Sequence, residues 1–187
     1  MNFCSDCGEK VSLKTPGNDN RPRYICDVCD MVHYTNPKNV AGAILYQDDK
    51  VLLCKRAIEP RYGFWTLPAG FMENDETVKQ GAARETVEEA QAKAKSLSLF
   101  GLFSLPHISQ VYMMYVGEYD GNGYAAGPES LEVGLFSKDE IPWDDLAFPM
   151  VKYCLEKYFK EGVTKGKVFE ASVKRLKDKK IQIIEEV

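Results

Sequence analysis

The chain has 187 residues, 44% of them apolar, with a formal net charge of −4 and a sequence pI of about 5.3. That length supports one well-buried core with a small appendage and excludes a second large domain. The acidic balance supplies no basic field for nucleic acid or an anionic membrane, although an anionic substrate stays open where metal ions bring the positive charge. No window approaches about 18 consecutive apolar residues, and Cys4 is reached without an apolar leader. Neither a membrane span nor a secretory signal is visible, so the expectation is a soluble, cytoplasmic protein.

Four of the six cysteines fall into two CxxC pairs, Cys4/Cys7 in CSDC and Cys26/Cys29 in CDVC, with 18 residues between the pairs. Two such pairs on turns are the form of a tetrahedral four-thiolate zinc site. A disulfide framework is the competing reading; a reducing compartment favours zinc. Residues 1–36 then form a zinc ribbon, too small to fold without its metal, with the polar tongue TPGNDNRP over 15–22 and His33 as a bystander. Four thiolates leave no open coordination position, so this zinc is expected to be structural.

TNPK, residues 35–38, marks the junction to a larger domain over 37–163. NVAGAILYQ (39–47) and KVLLCKR (50–56) read as strands of a hairpin joined across Asp48 and Asp49, followed by the glycine and aromatic loop EPRYGFWTLPAGF (59–71). From Asp75 to Lys95 there is no proline, and the composition predicts a helix with Asn74 or Asp75 as N-cap and with Val78, Ala82, Ala83 and Val87 toward the core. SLSLFGLFSL (96–105) and QVYMMYVGEY (110–119) are strand candidates, Met113 and Met114 being core filler. The loop GNGYAAGPES (121–130) leads into a short strand over 131–136, and Pro149 opens a second helix, PMVKYCLEKYFKEG. Cys154 shares the apolar face of that helix with Val151, Leu155, Tyr158 and Phe159, and Cys54 lies in a strand-like run, so both are expected to be buried and inert. Residues 164–187, with clustered Lys and Arg and then IQIIEEV, read as a solvated or docking C-terminal extension.

Within the first helix, RETVEEA (84–90) places Glu85, Glu88 and Glu89 at i, i+3 and i+4, so three carboxylates share one face. Either that face is solvated or a cation neutralises it. Taken with its upstream loop, the stretch GFMENDETVKQGAARETVEEAQA (70–92) matches G-x5-E-x7-R-E-U-x-E-E-x-G-U, U being bulky and aliphatic, at Gly70, Glu76, Arg84, Glu85, Glu88 and Glu89. It resembles the Nudix box of the Nudix hydrolases. Two departures stand out: Thr86 replaces the usual aliphatic residue, and Gln91 with Ala92 replaces the closing glycine and aliphatic residue. Without that glycine the helix is expected to run on or to end in a costlier turn.

The resemblance implies an α+β fold: a Nudix α/β/α sandwich with a mixed sheet, preceded by the small Cys4 zinc ribbon found in one branch of the family. Cleaving a diphosphate by water needs its charge neutralised and the water deprotonated, which Mg2+ or Mn2+ bound by carboxylate oxygens achieves. The expected ligands are Glu85, Glu88 and Glu89, with Gly70 letting the loop approach so that the Ala69 carbonyl joins them. The resemblance gives Arg84 and Glu76 the task of holding the glutamates. Glu129 and Glu132 sit where relatives place a catalytic base or extra metal ligand, and Glu129, on a flexible loop, is favoured. Arg56 and Arg61 are candidates to pair with phosphate, and Phe64 or Trp65 to stack on a flat ring; a core Trp65 and a surface Arg61 are the alternative. His107 and Gln110 are placed at the pocket, a solvated histidine being the alternative.

KVLLCKR, GFWTLPAGF and GPESLE look most like FAD and ADP-ribose pyrophosphatases. The expected function is metal-dependent hydrolysis of a nucleoside diphosphate linked to another moiety, releasing a nucleoside monophosphate. An NADH or capped-nucleotide pyrophosphatase is the enzymatic alternative. NADH-cleaving relatives carry an SQPWPFP-like segment after the box, whereas SQVYMMY (109–115) lacks the prolines. The alternative of another class is an RNA- or protein-binding zinc ribbon on an inactive scaffold. A homodimer, common among ADP-ribose-cleaving relatives, is open, and the apolar residues of the tail are available to it.

Overall fold

The structure, a computed structural model, describes residues 1–163, 166–176 and 181–185. Two compact units divide the chain, Met1–Asn36 and Pro37–Val187.

In the first unit β1 (Val11–Lys14), β2 (Arg23–Cys26) and β3 (Val32–His33) form a three-stranded antiparallel sheet. The ligand atoms of Cys4, Cys7, Cys26 and Cys29 all lie within 4.8 Å of one another. Cys4 Sγ is 3.7 Å from Cys29 Sγ, and Cys7 Sγ is 3.5 Å from Cys26 Sγ. A regular ZnS4 tetrahedron with bonds of about 2.3 Å has edges of about 3.8 Å. The cluster therefore has the dimensions of a zinc site and not of two disulfides, whose sulfurs sit about 2 Å apart. The amides of Cys29 and Val28 point at Cys26 and draw its thiol down to about 7, toward the thiolate that zinc binds. His33 is buried and does not join the cluster.

The second unit is a nine-stranded mixed sheet between two helical layers. Its strands are β4 (Lys38–Gln47), β5 (Lys50–Arg56), β6 (Trp65–Thr66), β7 (Ala69–Phe71), β8 (Ser98–Leu105), β9 (Gln110–Glu118), β10 (Ser130–Ser137), β11 (Phe169–Arg175) and β12 (Ile181–Glu185). The order is β10-β5-β4-β9-β8-β11-β12, with β6 beside β5 and β7 beside β4. Pairs β4–β9 and β8–β11 are parallel. The period of two along the central strands divides the core. Ala41, Ala43, Leu45, Leu52 and Cys54 pack beneath α1 (Val78–Ala90). Ile44, Val51, Leu53, Phe103 and Met114 pack beneath α2 (Pro149–Glu161), which contributes Met150, Val151, Cys154, Leu155 and Tyr158.

The N-cap of α1 is Thr77, not Asn74 or Asp75. Its hydroxyl accepts from the Gln80 amide while the Gln80 side chain accepts from the Thr77 amide, a reciprocal capping box that neither upstream residue can form. The helix stops at Ala90, short of the expected Lys95, and Gln91 adopts the left-handed conformation with φ 48°. Carbonyls at this helix end find donors. Ala92 donates to Thr86 and Gln91 to Val87, while Gly127 and Ala125 of the long loop donate to Glu89 and Ala90. The missing glycine is thus the costlier turn of the two outcomes, supported by a loop laid against the helix end.

The tail differs most from expectation. Residues 164–187 read as an extension, yet within them β11 joins the sheet in parallel beside β8 and β12 pairs with β11. Phe169, Ala171 and Val173 alternate into the core, with Phe169 5.0 Å from Phe100. The run VFEASVK carried that alternation, masked by the surrounding lysines. Among the described residues no helix is long and apolar enough to cross a membrane.

Stripping the zinc is expected to open the ribbon to trypsin at Lys14 and Arg23, read by mass spectrometry of the digest. Resistance at both sites after confirmed loss of the metal would contradict a structural zinc.

Candidate active site

The buried face of α1 is not the apolar one its sequence suggests. Ala83 and Val87 are exposed, and the residues turned to the sheet are Ala82, Glu85, Thr86, Glu89 and Ala90. Thr86 occupies its aliphatic position without an orphan hydroxyl, because Oγ1 donates to the Ala83 carbonyl at 2.8 Å. Glu85 and Glu89 are each only 7% exposed, whereas the Glu88 side chain is 56% exposed.

Arg84 organises the glutamates. Its Nε and Nη2 form a two-pronged contact with Glu76 at 3.0 and 2.8 Å, and Nη2 also donates to the Phe71 carbonyl at 3.0 Å. Nη1 reaches Glu85 Oε1 at 2.7 Å and Glu88 Oε2 at 2.8 Å. The guanidinium and the Glu73 amide together hold the Glu76 carboxyl down at about 2. The loop before the helix passes close to Glu85: a Cβ on Gly70 would lie 2.3 Å from Glu85 Oε1, so a side chain there would push this carboxylate out of its place beside Arg84.

Burial dominates the other two carboxyls. It raises Glu85 despite Arg84 beside it, and raises Glu89 to about 8, with the Glu85 charge adding to the effect and Arg56 opposing it. Glu129, on the loop before β10, adds negative potential to both. That loop is fixed to the end of α1: a Cβ at Gly127 would fall 1.7 Å from the Glu88 carbonyl oxygen, and the Gln91 side chain donates to Ala126 at 3.3 Å.

These groups face one cavity of about 860 Å³. Ala69, Gly70, Glu85, Glu88, Glu89, Glu129, Arg56, His107 and Gln110 all line it. Four of the predicted catalytic and substrate-binding residues do not. Glu132 points away and pairs with Lys55 at 2.7 Å, because it lies on a paired strand and not on the loop. Trp65 packs edge-on to Phe136 at 4.9 Å and belongs to the core side of the sheet. Arg61 lies over the Phe64 ring at 5.3 Å, and neither lines the cavity. Sequence reasoning missed the far wall: Ile108, Tyr112, Phe148, Val173 and Ile181. For Tyr112 a signal existed, since it follows Gln110 by two along β9 and so shares its face.

The donor set suits a hard divalent cation. Arg84 takes one oxygen from Glu85 and one from Glu88, leaving the second oxygen of each, with both of Glu89, turned to no other side chain among the described residues. Six glutamates line the cavity, Glu59, Glu73, Glu85, Glu88, Glu89 and Glu129, against the two arginines Arg56 and Arg84, and carboxylate oxygen is the donor that magnesium and manganese prefer. Among the described residues only the cysteines already converge to within 4.8 Å, so the glutamates would close around an ion by side-chain rotation.

A carboxylate-bearing helix facing a cavity behind a glycine loop is the arrangement of the Nudix fold. The chain belongs to the Nudix family: the NUDIX domain model matches residues 36–154, and the Nudix N-terminal zinc-ribbon model matches residues 2–35. It is similar to a NUDIX hydrolase from Nitrosomonas europaea, whose crystal structure superposes with a TM-score of 0.86 at 49% identity, covering 92% of this chain and 99% of that one. The ADP-ribose pyrophosphatase of Methanocaldococcus jannaschii is 31% identical over 58% of this chain and 67% of its own length. The NAD-capped RNA hydrolase of Salmonella paratyphi C is 28% identical over 75% of this chain, which spans only 53% of that protein.

Glu89 rises from 4.5 to about 8 on folding, so its contribution to stability is whole at low pH and is lost as pH climbs toward that value. In the metal-free protein, Glu89→Gln is therefore expected to melt above the parent at about pH 8 and level with it at about pH 4, a difference on the order of a few kcal/mol. Thermal unfolding followed by circular dichroism checks this. Equal melting differences at both values would contradict it.

Proposed function

We propose that the chain is a divalent-metal-dependent pyrophosphohydrolase that cleaves a nucleoside diphosphate linked to another moiety, with FAD or ADP-ribose as substrate. The observation that carries this reading is the pair of buried glutamates, Glu85 and Glu89, at the wall of a substrate-sized cavity. Two carboxylates buried this way destabilise the fold unless something cationic binds there, which a mere scaffold would have no cause to retain. That weighs against the binding-module reading.

In this reading Glu85, Glu88 and Glu89, with the Ala69 carbonyl, hold Mg2+ or Mn2+. When bound, the cation neutralises the diphosphate and acidifies the attacking water. Arg84 and Glu76 keep the carboxylates in position. Arg56 projects into the cavity from the end of β5 and pairs with a phosphate oxygen of the substrate. Glu129 takes the proton from water as its oxygen attacks phosphorus; the bridging P–O bond breaks, and two phosphomonoesters leave. The Gly127 and Gln91 contacts to the end of α1 hold the Glu129 loop at a set distance from the metal-binding carboxylates. NADH or an NAD-capped end is the second enzymatic reading, supported by the similarity to an NAD-capped RNA hydrolase.

Turnover of FAD, ADP-ribose, NADH and diadenosine polyphosphates with Mg2+ or Mn2+ tests the proposal. Glu88, the exposed member, gives the cleanest variant: Glu88→Gln is expected to lower kcat by on the order of a hundredfold or more with unchanged melting. A fully active Glu88→Gln would overturn the assignment.

A further inference from the structure

The cavity lining contains two chemically different sets of residues. One is the carboxylates with Arg56; the other is apolar and includes Ile108, Tyr112, Phe148, Val173 and Ile181. Val173 and Ile181 belong to β11 and β12, which lie beyond residues 36–154 matched by the NUDIX domain model. The hairpin is nonetheless fastened to the domain. Its first strand pairs in parallel with β8 from Phe169 to Ser172, and the Val173 carbonyl meets His107 Nδ1 at 3.2 Å. That contact ties the hairpin to the Pro106–Ile108 turn, so the turn and the hairpin form one wall.

Two members of this wall are poorly covered. Ile108 is 49% exposed and Ile181 is 42% exposed, although both line the cavity. Exposed aliphatic surface inside a concave site is surface that a ligand removes from water. The ring of Phe148 lies 5.3 Å from the Arg56 guanidinium, so the apolar set adjoins the phosphate-pairing cation. A substrate with its diphosphate at the carboxylates would lay whatever is attached to that diphosphate along this wall. These five residues offer aliphatic and aromatic faces and no charged group, which suits a planar uncharged ring and not a further phosphate.

Resting on the pyrophosphohydrolase reading, we infer that the C-terminal hairpin is the specificity wall of the pocket: Ile181 and Val173, with Ile108, Tyr112 and Phe148, receive the planar uncharged ring of the substrate.

Ile181→Glu and Ile108→Asp place a charge in that wall at exposed positions that the fold tolerates. Ile184→Glu, on the same strand but outside the cavity, is the matched control. The measurement is kcat/KM for ADP-ribose and FAD, together with inhibition by inorganic pyrophosphate, which has no ring and reports the carboxylate set alone. The wall variants are expected to lose about tenfold or more in kcat/KM, chiefly through KM, with pyrophosphate inhibition held within about twofold and Ile184→Glu close to the parent. A loss for both substrates assigns the wall to adenine, their shared ring; a loss for FAD alone assigns it to the flavin. Wall variants with the parent's KM, or a loss shared by pyrophosphate inhibition, overturn the inference while leaving the hydrolase reading intact. No turnover by the parent on any substrate would instead overturn the hydrolase reading and this inference with it.

Discussion

Arg84 is the contact on which the site depends. One guanidinium holds Glu76 in a two-pronged pair, caps the Phe71 carbonyl and spans Glu85 and Glu88, so a single side chain fixes the loop before α1 and two carboxylates on it. A lysine could supply the charge but not the fork, since its ammonium has no planar set of donors to divide among three partners. Like charges at i and i+3 are tolerated here because the cation sits between them. The compensation is incomplete: among the described residues Glu89 has no such paired cation, and burial raises its carboxyl to about 8.

The local departures from the family pattern are absorbed by hydrogen bonds. Thr86 fits a buried aliphatic position because its hydroxyl turns back onto the helix. Gln91 takes a left-handed conformation that glycine would adopt more easily, and its side chain reaches the loop that Gly127 presses against the helix end. The end of α1 and the Glu129 loop are therefore one mechanical unit. Substitution at either would be felt at the other.

Much of this was legible in the chain. The cysteine spacing gave the ribbon, and the fixed spacing from Gly70 to Glu89 gave the carboxylate face and its supporting arginine. The apolar periodicity of α1 misled, placing Ala83 and Val87 inside, because two of the buried positions are glutamates that a hydrophobicity pattern counts as surface. Glu132 was misplaced, and Trp65 took its core alternative, for a related reason: proximity in sequence to the site does not say which face of a strand a residue takes. The hairpin from the tail was unreadable as part of the pocket because β11 pairs with β8, more than 60 residues earlier, and only that long-range pairing brings Val173 and Ile181 to the cavity.

In the proposed function, the buried, partly uncompensated carboxylates bind a cation. Calorimetric titration of the metal-free protein with Mn2+ at neutral pH, in two buffers of different ionisation enthalpy, measures binding and proton release together. Saturable binding that releases protons as the raised carboxyls ionise is expected, with affinity falling about tenfold or more in Glu85→Gln and Glu89→Gln. Absence of binding, or binding that neither releases protons nor responds to these substitutions, would contradict it.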